Sequence, residues 1–180
     1  MILSALLGST HAGATTLQAL SLSDLVDEAD LIVVGEAISS RSDFDERGRI
    51  ITDHELRITG VWRGPATSSL RVRSLGGSVG ETGMRVPGSA TLQTGSRYLL
   101  FLRRGPGDNH LRCVGMSQGA FPIRGDASES EAMPAGRGAH LVHRSPQGRL
   151  VESPGALLHP EPLERLRARV QRIVQANSSR

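Results

Sequence analysis

Cysteine, lysine and aromatic residues are scarce or absent in this chain. A single cysteine, Cys113, excludes an intrachain disulfide bond and a zinc site with several cysteine ligands. Aromatic residues make up only 3% of the sequence, so the core must come mainly from Leu, Val and Ile. No apolar run approaches the roughly 18 residues that a membrane-spanning helix needs. We therefore expect no metal site, no cofactor and no membrane span.

The basic charge is concentrated at one end. All 21 basic residues are arginine, and the formal net charge is +3. Residues 160–180 contain five Arg and two Glu, so this segment alone accounts for the excess and the rest is neutral. A nucleic-acid-binding domain usually carries a basic face on its folded body together with aromatic residues that stack on bases. The sequence therefore predicts no nucleic-acid partner.

The residues that are present favour a small β protein. The chain contains 21 Gly and 9 Pro, which suits many turns. The run Ala29-Asp-Leu-Ile-Val-Val-Gly-Glu36 is typical of a strand buried on both faces. Four more strand-like runs follow it, and together they predict a small five-stranded, closed or nearly closed barrel. The predicted strands cover residues 30–40, 50–62, 70–73, 97–103 and 110–115.

The segments on either side of the predicted barrel have other compositions. Residues 1–14 resemble the end of a signal peptide, with a short apolar run and a small-residue cleavage site, but no positive n-region; the true start is expected upstream, or the chain is truncated. The barrel domain is assigned to residues 20–125, with a short amphipathic helix over residues 20–29. The composition of residues 126–138 predicts a mobile linker. Residues 139–180 are predicted to form a peripheral hairpin and a C-terminal amphipathic helix.

Three motifs resemble those of the netrin-like module, an OB-type barrel that also forms the inhibitory domain of tissue inhibitors of metalloproteinases. They are Ala29-Asp-Leu-Ile-Val-Val-Gly-Glu36, Leu56-Arg-Ile-Thr-Gly-Val-Trp-Arg-Gly64 and Gly95-Ser-Arg-Tyr-Leu-Leu-Phe101. Arg63 stands where the family usually has Lys. Together with the Gly76-Gly77 pair and Val114-Gly-Met-Ser-Gln-Gly119, the layout further resembles secreted bacterial proteins of unknown function. The resemblance covers about residues 22–124 and implies an OB/netrin-like fold in a secreted or periplasmic protein.

One feature of the inhibitors is missing here. Tissue inhibitors place a mature N-terminal cysteine on the catalytic zinc of their target. Cleavage after Ala14 would leave Thr15 at the new N-terminus, and Cys113 is the only cysteine in the chain. The resemblance therefore implies the fold and the exported setting, and leaves inhibition of metalloproteinases as an alternative.

The segment between the third and fourth predicted strands, residues 76–96, is the predicted binding surface. It contains six Gly, one Pro and little periodicity, and long irregular stretches in compact domains are usually functional or disordered. Gly76 and Gly77 permit positive φ or a close approach of the backbone to a partner. Glu81, Met84 and Arg85 are the side chains that we expect to make contact. An ordinary connection across the barrel end is the competing interpretation.

Two sequence motifs suggest a catalytic or metal-binding site. Gly115-Met-Ser117-Gln-Gly119 matches the G-x-S-x-G pattern of serine hydrolases, but that pattern requires a strand-to-helix turn, and Ala120-Phe-Pro-Ile is a poor helix start. Asp53-His54-Glu55 resembles a metal or acid–base group. On a strand, however, His54 points away from its two acidic neighbours, so the three cannot converge on one ion.

The sequence therefore predicts a secreted, non-enzymatic binding or accessory module that recognises a protein or a surface polymer. Its partner would be a secreted or envelope protein, with a protease among the candidates. A metalloproteinase-inhibitor-like protein and an exported hydrolase that uses Ser117 are the alternatives. No catalytic residue and no metal ligand is assigned.

Overall fold

The computed structural model describes residues 16–105, 107, 110–126, 129–136, 139–157 and 159–178, so the predicted signal segment lies outside the described residues. The protein is mainly β, with one short helix near the N-terminus and a longer one at the C-terminus. The elements in chain order are β1 (Thr16–Gln18), α1 (Leu22–Glu28), β2 (Leu31–Phe44), β3 (Ile50–Arg63), β4 (Ser69–Leu75), β5 (Gly77–Val79), β6 (Thr82–Met84), β7 (Arg97–Arg104), β8 (Leu111–Cys113), a 3₁₀ turn (Met116–Gly119), β9 (Ala120–Arg124), β10 (Glu131–Ala132), β11 (His140–Arg144), β12 (Leu150–Glu152), β13 (Glu161–Pro162) and α2 (Leu163–Ser178).

Helix α1 follows directly from its sequence. The Ser21 hydroxyl accepts a hydrogen bond from the Asp24 backbone N–H, and the Asp24 carboxylate accepts one from the Ser21 N–H, which completes a capping box. Leu22, Leu25 and Val26 form the predicted apolar stripe, and all three are buried. The predicted helix near residues 20–29 is therefore confirmed, with its start fixed by the cap.

Strands β2 and β3 form a long antiparallel hairpin of 14 residues each. The register shifts at three places along β2, which lets the long strand curve. A Cβ atom on Gly35 would lie 2.9 Å from the Arg57 carbonyl oxygen, so this position of β2 accepts only glycine without a shift of the backbone. The glycine inside the first predicted strand thus allows β2 and β3 to approach closely.

The prediction of a five-stranded sheet is wrong. The main sheet contains eight strands in the order β13-β10-β9-β7-β2-β3-β4-β8 within the described part of the chain. All five predicted strands are present, as β2, β3, β4, β7 and β8. The additional strands β9, β10 and β13 continue the sheet beyond β7, starting where Pro122 of β9 pairs with Tyr98. They are short segments of two to five residues, and such lengths give no clear alternation in a sequence.

The pairings between five strands of the main sheet also form a closed circuit. Strand β7 pairs with β2 on one side, and it pairs with β8 through Leu102 and Cys113. Strand β8 meets β4 through a single parallel pair, Val72 and Leu111. Strands β7, β2, β3, β4 and β8 therefore form a closed circuit of pairings, which we call the ring.

Two apolar clusters lie on the two faces of the sheet. The inner cluster fills the ring and contains Val33, Leu100 and Leu102, with Ile58 packed against it. These four residues therefore share one core. The outer cluster lies between the other face of the sheet and the two helices, where Phe101 and Phe121 contact edge to face. Strand β7 is apolar on both faces because it contributes to both clusters.

The C-terminal part packs against the same body. Leu166 and Val170 of α2 are fully buried in the outer cluster, beside α1. Strand β10 lies within the segment that the sequence predicts as a linker, and it pairs with β9 and β13. Strands β11 and β12 form the expected hairpin, which pairs with β1 in a separate three-stranded sheet. The apolar stripe of α2 thus contacts its own chain.

Candidate functional site

The predicted binding segment, residues 76–96, begins with a small hairpin. Strands β5 and β6 pair through Gly77 and Met84, and Glu81 lies in the turn between them. The sequence of this segment shows no periodicity apart from Met84-Arg-Val, because strands of three residues are too short to give an alternating pattern. The hairpin contacts β2 and β3, so the segment folds back over the end of the ring.

A hollow opens between this hairpin and the ring, and we call it the His54 hollow. Its volume is about 430 Å³. Seven residues with hydroxyl groups line it together with apolar residues and one buried histidine, and it includes four of the five predicted site residues. Its lining includes Ser40, Ser42, Thr52, His54, Ser74, Gly76, Gly77, Ser78, Met84, Arg85, Ser89 and Thr91.

The glycine pair builds one wall of the hollow. The Thr52 hydroxyl donates to the Gly76 carbonyl oxygen at 2.6 Å and lies 2.9 Å from the Ser42 hydroxyl. A Cβ atom on Gly77 would lie 2.4 Å from both the Ser42 Oγ and the Thr52 Oγ1, and the φ angle of Gly77 is +131°. Both features require glycine, so the close approach at Gly77 is to the protein's own hydroxyl groups.

His54 is the buried titratable group of the hollow, with 3% of its surface exposed. Its Nε2 lies 3.0 Å from the Ser74 hydroxyl, and its Nδ1 has no hydrogen-bond partner among the described residues. Burial lowers the pKa of His54 below its usual 6.5, and the adjacent carboxylate of Asp53 opposes part of that shift. The ring is therefore neutral at neutral pH. Because the Ser74 hydroxyl can donate or accept, the neutral ring can carry its proton on either nitrogen.

The neighbours of His54 face the other way, as the strand alternation predicts. The Asp53 carboxylate binds the Arg73 guanidinium through two hydrogen bonds of 2.7 Å, and this pairing lowers the pKa of Asp53. Glu55 is exposed and accepts a hydrogen bond from Ser39. Asp53, His54 and Glu55 thus do not form a joint site. Elsewhere too, no group of three or more His, Cys, Asp or Glu suitable for a metal ion occurs within the described ranges.

Arg85 is the charged group of the hollow. It is exposed at the rim, and no described residue pairs with it. No Asp or Glu belongs to the described lining, so the local charge is positive. Met84 is half-buried and supplies the apolar surface beside it. Glu81 is exposed at the hairpin turn and does not line the hollow, so the structure separates it from the other four predicted residues.

Ser117 lies in a second hollow of about 550 Å³, which we call the Ser117 hollow. It is on the 3₁₀ turn between β8 and β9, after Gly115 and Met116, whose φ angles are +58° and +63°. Its hydroxyl is buried and has no hydrogen-bond partner in the described part of the chain. No His, Asp or Glu belongs to the described lining of this hollow, so that lining offers Ser117 no general base.

Cys113 is unsuited to chemistry. Burial raises the pKa of Cys113 to about 12, so the thiol stays protonated and unreactive at neutral pH. Among the described residues, no helix combines the length and the apolar character needed to cross a membrane.

Ser42 and Ser74, on the strands beside β3, were not among the predicted site residues. Along the register, Thr52 lies between Ser42 of β2 and Ser74 of β4. Inward-facing hydroxyl residues at one level of three adjacent strands mark a hydrophilic interior, since such positions are usually apolar. The signal is in the sequence, but reading it requires the register between strands.

No protein-family model matches this chain, and no curated protein matches it. Its function must therefore be inferred from the residues and their geometry.

Proposed function

We propose that this chain is the ligand-binding domain of an exported protein, and that the His54 hollow is its binding site. The ligand is a protein segment or a surface polymer with polar groups. The observation that carries the proposal is the imidazole of His54, which is buried at the base of a hydroxyl-lined hollow with one nitrogen unpartnered. Buried polar atoms normally have a partner, and an unpartnered one calls for an explanation such as a ligand.

The proposed fold is an OB/netrin-like barrel. Its support is the closed circuit of β7, β2, β3, β4 and β8, together with the three sequence motifs that resemble the netrin-like module. In OB folds, loops at the barrel surface commonly bind oligomeric ligands. The hairpin of β5 and β6 covers one end of the ring here, which is a suitable place for recognition. The exported setting is proposed on the resemblance of residues 1–14 to a signal peptide and on the secreted proteins that share the layout.

The alternatives have less support. An inhibitor of the tissue-inhibitor type needs an exposed cysteine for the target's zinc, and Cys113 is buried. A hydrolase needs a base beside its serine, and the described lining of the Ser117 hollow provides none.

Capture from the envelope and medium of the producing cell tests the proposal. The parent protein is compared with a variant in which residues 78–85 are replaced by a short Gly-Ser linker, and with Arg85→Ser. Arg167→Ser on α2 is the matched control, because Arg167 is exposed and lies outside both hollows. Bound proteins are identified by mass spectrometry and bound polymers by sugar composition.

We expect the parent and Arg167→Ser to enrich the same ligand, and the two hollow variants to lose most of it. Arg85→Ser should change the free energy of unfolding by no more than about 0.5 kcal/mol, as exposed substitutions usually do. Equal capture by all four folded proteins would place the binding site elsewhere.

A further inference from the structure

The two hollows are neighbours. Ser89 and Thr91 line both of them, so only the segment 88–91 separates the His54 hollow from the Ser117 hollow. This segment is fixed from both sides. The Ser89 hydroxyl donates to the Leu75 carbonyl oxygen at 2.7 Å, and the Gly88 carbonyl oxygen accepts from the Ser117 N–H at 2.9 Å. Ala90 is buried. The two hollows therefore lie on either side of a fixed divider, and we call the pair of hollows the cleft.

Each half of the cleft has a buried polar atom without a partner and an unpaired arginine. His54 and Ser117 are 3% and 8% exposed, and His54 Nδ1 and Ser117 Oγ have no hydrogen-bond partner in the described structure. Arg85 lines the first half and Arg124 the second, and no described residue pairs with either guanidinium group. Arg97 also lines the second half, but it donates to the Gly125 carbonyl oxygen and the Ser130 hydroxyl.

We propose that this cleft binds a linear acidic polysaccharide whose carboxylate groups pair with Arg85 and Arg124 and whose hydroxyl groups meet His54, Ser117 and the serine-rich walls. This inference rests on the proposed function and names its ligand class. Guanidinium groups bind carboxylates through short charge-assisted hydrogen bonds. Hydroxyl and imidazole groups match the alternating donors and acceptors of a sugar ring. A linear polymer suits two adjacent hollows because one chain can occupy both.

The cleft favours a polysaccharide over the other linear polyanions. A common way to bind an extended peptide is the addition of a strand to an open sheet edge, and the divider at residues 88–91 is not a strand. Single-stranded nucleic acid needs exposed aromatic rings for stacking. The aromatic residue of the described lining, Tyr98, is 4% exposed, and its hydroxyl accepts a hydrogen bond from the Gln93 N–H.

One acidic residue lies close to the second half of the cleft. Glu131 of β10 is the cross-strand partner of Arg124, and it is exposed. Directly opposed residues project on the same face of a sheet, so the Glu131 carboxylate competes with a ligand for Arg124. Removing that negative charge should strengthen binding of an acidic polymer.

Calorimetric titration with galacturonate oligomers tests the inference. The probes are the disaccharide, a long oligomer, and a neutral dextran oligomer of matched length, with polyglutamate and single-stranded DNA as the other polyanions. The proteins are the parent, Arg85→Ser, Arg124→Ser, Glu131→Gln and Arg167→Ser. Thermal melts check that each variant is folded. Arg85→Lys and Arg124→Lys keep the positive charge and should therefore retain part of the binding that the serine variants lose.

We expect the long oligomer to bind more tightly than the disaccharide and far more tightly than dextran. Arg85→Ser and Arg124→Ser should each weaken binding of the long oligomer by about tenfold, or about 1.4 kcal/mol. Glu131→Gln should strengthen it severalfold, and Arg167→Ser should leave it unchanged.

Four results would overturn the inference: equal binding of dextran, no effect of either arginine, tighter and arginine-dependent binding of polyglutamate or DNA, or no binding of any galacturonate. If the protein binds no galacturonate oligomer but still captures an envelope ligand that the two hollow variants lose, the proposed function stands. In that case only the assignment of the ligand to acidic polysaccharides is wrong.

Discussion

The inner face of β3 divides into two halves of opposite character. Leu56 is fully buried and lies between Ala37 of β2 and Leu70 of β4, as in an ordinary core. Four residues earlier, Thr52 lies between Ser42 and Ser74 on the same two strands. The half around Leu56, which we call the apolar half, therefore excludes water through apolar packing. The half around Thr52, which we call the polar half, has hydrogen-bonding groups in a sheltered space.

The comparison shows that burial alone does not identify a core. His54 is about as buried as Leu56, yet its Nδ1 has no partner and its cross-strand neighbour on β2 is Ser40. An apolar side chain at position 54 would avoid the cost of an unpartnered polar atom. We infer that the apolar half stabilises the ring and that the polar half is retained for recognition.

The largest expected effect is in the apolar half. Leu100→Ala should lower the free energy of unfolding by about 2–5 kcal/mol, because Leu100 is fully buried in the inner cluster and its truncation leaves a cavity. Chemical denaturation measures the change. Leu150→Ala is the control, since Leu150 is 61% exposed and should change stability by no more than about 0.5 kcal/mol. Equal effects of the two substitutions would contradict the assignment of the core.

A smaller effect is expected where the hairpin meets the polar half. Gly77→Ala should cost about 1–3 kcal/mol more than Gly80→Ala, because its new Cβ atom would overlap two hydroxyl oxygens. Gly80 is a matched control: its φ angle is also positive, at +58°, but nothing lies within 4 Å of a Cβ atom there. If the two variants melt alike, the hairpin does not pack against the ring as described.

The smallest effect is a dependence of stability on pH. The pKa of His54 is lowered by burial, so below its unfolded value of 6.5 the unfolded chain takes up a proton more readily than the folded protein. Stability should therefore fall as the pH decreases from about 7.5 to about 5, a range that spans the unfolded pKa of histidine. In His54→Gln part of that fall should disappear.

Denaturation at several pH values measures this dependence. Leu150→Ala, at an exposed residue without a titratable group, is the control and should keep the slope of the parent protein. A slope that is the same in His54→Gln and the parent would mean that His54 titrates alike in the folded and unfolded states.

Much of the fold could be predicted from the sequence because its signals are local. The capping box at Ser21 and Asp24, the alternation of β3 and the apolar run of β7 each identify an element without its neighbours. The short strands β5, β6, β10 and β13 could not be predicted, since their pairing partners define them. Four of the five predicted site residues line the His54 hollow, but Ser42 and Ser74 were missed because their meeting at Thr52 depends on register.

The most direct test of the account is the titration of the His54 imidazole by NMR, with and without the long galacturonate oligomer. The signal is assigned by its loss in His54→Gln. If the polar half of the ring is the binding site, the oligomer should shift the His54 signals and change the pKa of the imidazole, because a bound ligand alters the hydrogen bonding and the solvation of the ring. His143 provides the internal reference. Binding that leaves the His54 signals and pKa unchanged would contradict the claim that the polar half serves recognition.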